Sequence, residues 1–265
     1  MSRGSLRERL RAGYDRLLTP ILRNRLVSRL IFREHLVREE FFRRLISRTR
    51  NFGDVEWLGQ PIWQNVLDLW TIQETIHEVG PELLIESGTN RGGSARFYAH
   101  LFDLLGRGRV VTIDMERMHD LSHPRISFLI GSSTSDEVVA HVRREAAGAQ
   151  GPIMVILDSN HSMAHVRREL ELYAPLVTPG SFCLVQDGVI DTLEHFAPGR
   201  PGPLPAIEDF LRSHPEFMVD RARCERFLIS HHPRGWLRRQ VDAPGPAQPG
   251  PPGRRGLDRP ARVAK

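Results

Sequence analysis

The residues best suited to chemistry follow two predicted buried strands, in the segments VILDSNH and CLVQDG. Asp158 ends the first strand, and Gln186 and Asp187 end the second. Neighbouring parallel strands would bring these side chains close together, because the carboxyl ends of such strands border one crevice. Carboxylate and amide oxygens are hard ligands of the kind that Mg²⁺ prefers. The spacing therefore predicts a magnesium site formed by Asp158, Gln186 and Asp187.

His161 follows Asp158 by three residues, at the start of a predicted helix. A metal ion beside a substrate hydroxyl lowers the pKa of that hydroxyl, and a histidine placed here could accept the proton as a general base. We therefore interpret Asp158 and His161 as catalytic residues. Two simpler alternatives stay open. Each acid could cap the helix that follows it, and His161 could bond only to backbone at a helix start.

A glycine-rich turn, LLIESGTNRGGSA, follows another buried strand and spans Leu83 to Ala95. Glycines let the backbone approach a ligand closely, and the helix N-terminus beyond them offers free N–H groups. Gly88, Gly92 and Gly93 are spaced G-x-x-x-G-G, with Glu86 two residues ahead of the first. The dinucleotide fingerprint is instead G-x-G-x-x-G. The pattern resembles motif I of class I S-adenosylmethionine methyltransferases, although a tight turn after any buried strand uses similar glycines.

The next predicted strand, RVVTIDM, contains Asp114 near its end. In a doubly wound fold, the acid that binds ribose hydroxyls lies about 20 residues beyond the glycine-rich turn, and Asp114 has this spacing. NAD and S-adenosylmethionine both contain a ribose. Asp114 therefore indicates a nucleoside ligand without choosing between the two.

Strands alternate with helices through the middle of the chain, and this order predicts a parallel sheet with helices on both faces. The last two strands, Phe217 to Arg221 and Arg226 to His231, are joined by a short turn and should be antiparallel. The expected fold is α/β, with a doubly wound, Rossmann-like sheet of seven strands. The other predicted strands after the glycine turn cover residues 109–115, 126–131, 153–159 and 181–187, and the predicted helices cover 136–147, 161–172 and 206–214.

Composition excludes several classes of protein. Of the 265 residues, 40% are apolar, but no run approaches the roughly 20 apolar residues that span a membrane. The first residues are too polar for a signal peptide. Cys183 and Cys224 have no CxxC partner, so we expect neither a disulfide framework nor a cysteine zinc site. These features together predict a cytoplasmic protein.

Charge is distributed unevenly along the chain. Residues 1–50 contain 14 arginines and 5 acidic residues, and residues 233–265 contain 8 basic and 2 acidic residues. Because the whole chain has a net charge of +5, the part between them carries −10. A nucleic-acid-binding domain needs a basic face of its own. The acidic middle therefore argues against a nucleic-acid partner.

The chain divides into three predicted parts: a basic amphipathic helical extension at 1–52, a catalytic domain at 53–235 and a Pro/Gly/Arg-rich disordered tail at 236–265. The extension has apolar residues at helical spacing and an interruption near Pro20. It could pack on the core or on a second subunit of a homo-oligomer. Alternatively, its arginines could hold the first 50 residues against an anionic membrane as a peripheral contact.

Several blocks together resemble the cephalosporin hydroxylase family, which includes mycobacterial rhamnosyl O-methyltransferases and, despite its name, has a class I methyltransferase fold. The resemblance runs from about Gly53 to Ile229. Its blocks are LLIESGTNRGGSA, PIWQNVLDLWTIQETI, GSST, GPLPAIEDFL and the most specific, VILDSNHSMAHVRRELELYAPLVTPGS. It implies S-adenosylmethionine as cofactor, with Asp114 on the ribose, Ser132 and Ser133 at the adenine, and a turn around the methionine part formed by Glu86, Gly88, Thr89, Gly92, Gly93 and Ser94.

The resemblance also implies Mg²⁺ at Asp158, position 186 and Asp187. The family usually has Glu-Asp where this chain has Gln186-Asp187, so one negative charge is missing. A glutamine still ligates through its carbonyl oxygen, as an amide does beside an aspartate in the similar metal-dependent catechol O-methyltransferases. We therefore expect weaker Mg²⁺ binding, with loss of metal dependence as an alternative.

We predict a Mg²⁺-assisted, S-adenosylmethionine-dependent O-methyltransferase whose small-molecule acceptor offers a hydroxyl of a sugar, a glycosylated natural product or a glycolipid. Two other functions stay open. Gln186 is compatible with a catalytically silent relative that binds the nucleoside ligand and serves an assembly. The family's name suggests a hydroxylase, but the sequence supplies no two-His-one-carboxylate iron triad.

Overall fold

The computed structural model describes residues 34–48 and 55–241. In chain order, its first elements are α1 (Glu34–Arg48), β1 (Glu56–Trp57), β2 (Gln60–Pro61), α2 (Val66–Val79), β3 (Leu83–Ser87), α3 (Gly93–Leu105), β4 (Arg109–Asp114), β5 (Ile126–Ile130) and α4 (Asp136–Gly148). They are followed by β6 (Ile153–Leu157), α5 (Met163–Tyr173), β7 (Phe182–Val185), α6 (Pro203–Ser213), β8 (Phe217–Val219), α7 (Arg221–Cys224) and β9 (Trp236–Arg239). Short 3-10 helices cover Ala174–Leu176, Gly188–Asp191 and Glu194–Gly199.

The main sheet of the described residues has seven strands in the order β5-β4-β3-β6-β7-β9-β8. Strands β3 to β7 pair in parallel, and β9 lies antiparallel between β7 and β8. From β3 the chain adds strands first on one side, to β5, and then on the other, from β6 onward. This reversal creates a crevice at the carboxyl ends of β3 and β6, where ligands of such folds bind. The predicted doubly wound sheet of seven strands is confirmed.

Alternating side chains of the central strands pack against helices on opposite faces of the sheet. Apolar residues of α4, α5 and α6 share one buried cluster with Val155 and Leu157 of β6. Residues of α2 and α3 share the other cluster with Met154 and Ile156. The next residue in this second series is Asp158. The alternation therefore directs the Asp158 side chain toward α2, which is a helix that the sequence patterns did not predict.

The final strand lies later in the chain than predicted. Residues 226–231 form no strand, and the strand that pairs with β8 is β9. Leu228 is exposed, whereas Trp236 and Leu237 are fully buried and cover the two faces of the sheet. Burial of these two side chains therefore decides the position of the strand. The sheet extends beyond residue 235, the predicted end of the catalytic domain.

Helix α1 is the described part of the N-terminal extension. Its Phe42 is fully buried in a small apolar cluster with Val189 and Leu193, and its ring centroid lies 4.8 Å from that of His231. The predicted helices before residue 34, residues 49–54 and the tail after residue 241 lie outside the described residues, so the predictions of a membrane-surface or subunit contact there stay predictions. Within the described chain, every helix is too short or too polar to cross a bilayer.

Candidate active site

The glycine-rich turn joins β3 to α3, and its glycines allow close packing of protein on protein. Gly88 has a φ of +95°, and a Cβ atom added there would overlap the backbone carbonyl of Asp158. A Cβ atom on Gly93 would overlap the carbonyl oxygen of Pro61. Their spacing predicts close approach of a ligand to the backbone. In the structure they bring the ends of β3, β6 and β2 together around a cavity.

Glu86 lies beneath this turn and is completely buried. Its Oε2 atom accepts a hydrogen bond of 2.6 Å from the Thr112 hydroxyl, and that hydroxyl also lies 2.6 Å from the Thr89 hydroxyl. Burial raises the pKa of Glu86 to about 7, although the hydroxyls of Ser94 and Thr112 oppose the rise. Glu86 therefore supports the turn from below and does not line the cavity.

Asp114 ends β4 beside the same turn. Its Oδ2 atom accepts a hydrogen bond of 2.7 Å from the backbone N–H of Asn90. Its Oδ1 atom accepts one of 2.7 Å from the backbone N–H of Met115. These bonds hold the carboxylate at the cavity wall. Each oxygen keeps a further lone pair, which a ribose hydroxyl could use.

Two adjoining cavities share Gly88, Asn90, Asp158, Ser159 and His161. The larger, about 770 Å³, is also lined by Asp114, Ser132 and Ser133. The smaller, about 260 Å³, is also lined by Thr89, Gly93, Ser94 and Asp187. The structure thus places seven of the nine predicted cofactor residues at cavity walls, and it leaves Glu86 and Gly92 behind them.

Asp158, His161 and Asp187 form a cluster whose possible metal-ligating atoms all lie within 4.8 Å of one another. The His161 Nε2 atom lies 3.2 Å from Asp187 Oδ2 and 3.9 Å from Asp158 Oδ1. The three residues follow β6 and β7, which are neighbouring strands. The structure therefore brings the predicted catalytic residues together.

The two carboxyl groups of this cluster differ in their electrostatics. Burial raises the pKa of Asp158 well above its usual range, and the neighbouring carboxylates of Asp187, Glu86 and Glu169 raise it further. Burial also acts to raise the pKa of Asp187, but a hydrogen bond from His231 and the charges of nearby histidines lower it to about 2. Asp187 is therefore ionised at neutral pH, and a nearby cation would stabilise ionised Asp158 as well.

Gln186 directly precedes Asp187 in the chain but lines neither of the two cavities. Its side chain is buried. Within the described residues its Nε2 atom has no hydrogen-bond partner. Its place at the end of β7 next to Asp158 is as predicted. The proposed role of Gln186 as a metal ligand requires that its amide turn toward the cluster.

Residues that the sequence patterns did not indicate hold the cluster in place. The Gln64 side chain donates a hydrogen bond of 2.8 Å to Asp158 Oδ2. The Asp187 amide donates to His232 Nδ1 at 3.1 Å, and His231 Nδ1 lies 3.6 Å from Asp187 Oδ1. Gln64 precedes Asp158 by 94 residues. No local spacing signals a contact over that separation.

A second unpredicted pair supports the larger cavity. His165 Nε2 lies 3.1 Å from the Ser133 hydroxyl and 3.5 Å from the Glu169 carboxylate. A hydrogen bond with Glu169 raises the pKa of His165. Glu169 also accepts a bond of 2.7 Å from the Ser159 hydroxyl. This pair joins the loop after β5 to the loop after β6.

Comparisons with known proteins give the site its context. Residues 50–240 match the family model described as Rhamnosyl O-methyltransferase/CmcI. The chain belongs to this family. A rhamnosyl O-methyltransferase of Mycobacterium tuberculosis is 33% identical over 199 residues, which cover 70% of this chain and 80% of that protein. The Mycobacterium leprae protein of the same name is 33% identical over 190 residues, or 69% of this chain and 82% of that one.

A solved structure of cmcI with Mg and SAM has a similar fold. It superposes with a TM-score of 0.57 at 19% identity and covers 75% of this chain and 84% of its own. This likeness supports the class I methyltransferase fold. Together with the family membership, it confirms the predicted family and the prediction of an O-methyltransferase.

Proposed function

We propose that the chain catalyses Mg²⁺-assisted methyl transfer from S-adenosylmethionine to a hydroxyl of a sugar or a glycosylated small molecule. The observation that carries this proposal is the cluster of Asp158, His161 and Asp187 on the walls of cavities that also contain the glycine-rich turn. A hydroxyl placed at the cluster would face a methyl donor held by the turn. Holding the hydroxyl and the methyl donor in line in this way would itself provide a large part of the rate acceleration.

The cavity walls suit S-adenosylmethionine. The larger cavity lies within the range of roughly 300–1,000 Å³ that is typical of small-molecule sites. Asp114 offers carboxylate oxygens for ribose hydroxyls, and Ser132 and Ser133 border the space left for the adenine. Thr89 and Ser94 line the smaller cavity, where the methionine part would lie. The cmcI structure with Mg and SAM supports the same pairing of ligands.

The donor set suits Mg²⁺, since Asp158 and Asp187 bring carboxylate oxygens within 4.8 Å of each other. Gln186 would join them as a ligand if its amide turned toward the cluster. Bound Mg²⁺ would supply Lewis acidity that lowers the pKa of an acceptor hydroxyl. His161 would accept the hydroxyl proton on its imidazole as that oxygen bonds to the methyl carbon. The bond between this carbon and the sulfonium sulfur would break in the same step and release S-adenosylhomocysteine. Asp158 and Asp187 would hold the cation and orient His161.

The acceptor would enter over Trp63, which lines the smaller cavity and is 56% exposed. An exposed indole ring offers a flat apolar surface with little loss of conformational freedom on binding, and the apolar face of a sugar ring can lie against it. The names of the mycobacterial relatives specify a rhamnosyl acceptor. We therefore place glycosylated acceptors, rhamnosides among them, first in the search for substrates.

The experiment is incubation of the full-length protein with methyl-labelled S-adenosylmethionine and a panel of glycosylated acceptors, with product detection by mass spectrometry. We expect a labelled product that EDTA abolishes and excess Mg²⁺ restores. Asp187→Ala should abolish it too, whereas Asp209→Ala, which removes an acid paired with Arg212 on α6, should not. Binding of S-adenosylhomocysteine without turnover of any acceptor would instead support the catalytically silent relative.

A further inference from the structure

Asp187 has an unusual backbone conformation for a residue with a side chain. Its φ is +56° and its ψ is +26°, in the left-handed region that residues other than glycine seldom adopt. It directly follows Gln186 after β7 and is the N-cap residue before the 3-10 helix Gly188–Asp191. The surrounding structure must therefore hold this residue in place if its carboxylate is to point into the cluster.

His232 supplies one such contact. Its Nδ1 atom lies 3.1 Å from the Asp187 amide nitrogen. An amide can only donate, so Nδ1 must accept, and a neutral imidazole that accepts at Nδ1 carries its proton on Nε2. The Nε2 atom lies 3.7 Å from Asp68 Oδ2. Both side chains are almost completely buried, so water does not screen this electrostatic contact.

Asp68 lies in the first turn of α2, and its Oδ2 atom is itself fixed. It accepts hydrogen bonds from the Asn65 side chain at 3.0 Å and from the His231 amide at 2.8 Å. The second bond fixes the chain that carries both histidines. His231 in turn approaches Asp187 Oδ1, which leaves Asp187 Oδ2 directed toward His161.

The stretch 64–68 thus reaches both carboxylates of the cluster. Gln64 contacts Asp158 directly, and Asp68 reaches Asp187 through His232. We propose that Asp68 and His232 are positioning residues that hold Asp187 in its left-handed conformation and thereby set the affinity of the cluster for Mg²⁺. The part of this inference that concerns Mg²⁺ rests on the proposed function.

The test compares substitutions at His232 by three measurements on the full chain: Mg²⁺ affinity by calorimetry, S-adenosylhomocysteine affinity, and hydrogen exchange of the Asp187 amide by NMR. His232→Phe keeps a ring but removes the acceptor. We expect it to weaken Mg²⁺ binding by about 10- to 100-fold, as loss of a group behind a metal ligand does, and to speed Asp187 amide exchange by about 10-fold. S-adenosylhomocysteine affinity should stay within about 2-fold of the original, because the residues proposed to hold this ligand are not contacted by His232.

His232→Asn is the rescue variant, because its Oδ1 atom can accept where Nδ1 did, and it should recover most of the Mg²⁺ affinity and amide protection.

Thr71→Val is the matched control. It removes a buried hydroxyl from α2 whose hydrogen bond, within the described residues, goes to the Leu67 carbonyl of the same helix. It should change neither the Mg²⁺ affinity nor the Asp187 amide exchange. If His232→Phe does not fold, Asp68→Asn takes its place, because it keeps the shape of the side chain and removes the charge that orients His232.

Unchanged Asp187 exchange in a folded His232→Phe or Asp68→Asn protein would overturn the proposal, and so would an equal loss of Mg²⁺ affinity in Thr71→Val. Absence of Mg²⁺ binding by the original chain would contradict the metal part of the proposed function. In that case the amide exchange alone would decide whether Asp68 and His232 position Asp187.

Discussion

The Nε2 atom of His161 lies 3.2 Å from Oδ2 of Asp187. A histidine at this distance from a carboxylate can serve the cluster in two ways. It can remove a proton from a hydroxyl bound nearby, or it can become a third ligand of a cation held by Asp158 and Asp187. The two roles differ in which measured quantity depends on the imidazole.

His161→Ala separates these roles. We expect turnover to fall by about 10²- to 10⁴-fold, the usual contribution of a general base, with partial recovery at high pH where the acceptor hydroxyl ionises unaided. Mg²⁺ affinity should change little. Steady-state kinetics and a Mg²⁺ titration of the same preparation measure both quantities. A large loss of Mg²⁺ affinity in the same variant would instead identify His161 as a ligand of the metal ion.

Gln186→Glu tests the missing charge. A carboxylate in place of the amide adds an anionic oxygen beside Asp158, and Mg²⁺ affinity rises with the charge of its ligands. We expect the Mg²⁺ titration of activity to shift to lower concentration by about 10-fold. Glu116→Gln, at an exposed position in the loop after β4, is the control for a change of one charge. No shift would show that residue 186 stays buried outside the cluster.

Glu86→Gln tests the buried acid beneath the glycine turn. The pKa of Glu86 is raised from 4.5 to about 7 in the folded protein. Its favourable contribution to the free energy of unfolding is therefore complete below pH 4.5 and is lost as the pH rises through 7. The variant stays neutral and should gain stability over the original across this window, by about 3 kcal/mol above pH 7. Urea unfolding at pH 5 and pH 8, without ligand, measures the difference.

A pH-independent difference between the two proteins would contradict this assignment. The matched comparison is again Glu116→Gln, because its side chain is exposed and its removal leaves no buried site to neutralise. Its stability difference from the original should be similar at both pH values.

Gly88→Ala tests the close packing at the turn. Gly88 and Gly106 both have positive φ, so alanine at either position incurs the left-handed penalty of about 1–2 kcal/mol. Only at Gly88 does the new Cβ atom also overlap a backbone carbonyl, whereas nothing lies within 4 Å of it at Gly106. We expect Gly88→Ala to lose about 1–3 kcal/mol more than Gly106→Ala. Equal losses in denaturant titrations would show that the chain can move apart at this point.

Trp63→Ala tests the acceptor surface. Removing the exposed ring should raise the acceptor KM by about 10-fold, the effect of losing one well-placed aromatic contact, and leave the KM for S-adenosylmethionine unchanged. Trp70→Ala is the control, because Trp70 is similarly exposed on α2 but lines neither of the two cavities. Equal effects of the two substitutions would remove Trp63 from the acceptor site.

The sequence predicted the central parallel strands β3, β6 and β7 well because they are mainly apolar runs that the sheet buries completely. Asp114, Asp158 and Asp187 could be assigned to one crevice for the same reason, since the ends of such strands converge. The glycine turn was found by its spacing. The spacing does not predict the role of Gly88 in packing protein against protein. That role depends on how closely the ends of β3 and β6 approach, which brings Gly88 against the Asp158 carbonyl.

The supporting residues could not be predicted from local patterns. Asp68 and His232 are 164 residues apart in the numbering, and each alone has the composition of an ordinary helix turn or loop. The position of β9 was missed because two of its four residues are arginines, so its apolar pattern is short. Trp236 and Leu237 occupy space that the earlier strands leave open, and only the assembled sheet shows that space.

The position of β9 between β7 and β8 determines when the sheet can be completed during synthesis. A ribosome synthesises β7 and β8 before β9, yet β9 is the strand that bonds to both of them. Until residue 239 has been added, the backbone edge of β7 has no neighbour on that side, and an unpaired buried strand is prone to association with other chains. The sheet is therefore completed only by a late step, and a nascent chain that stalls before residue 236 would be the form most in need of a chaperone.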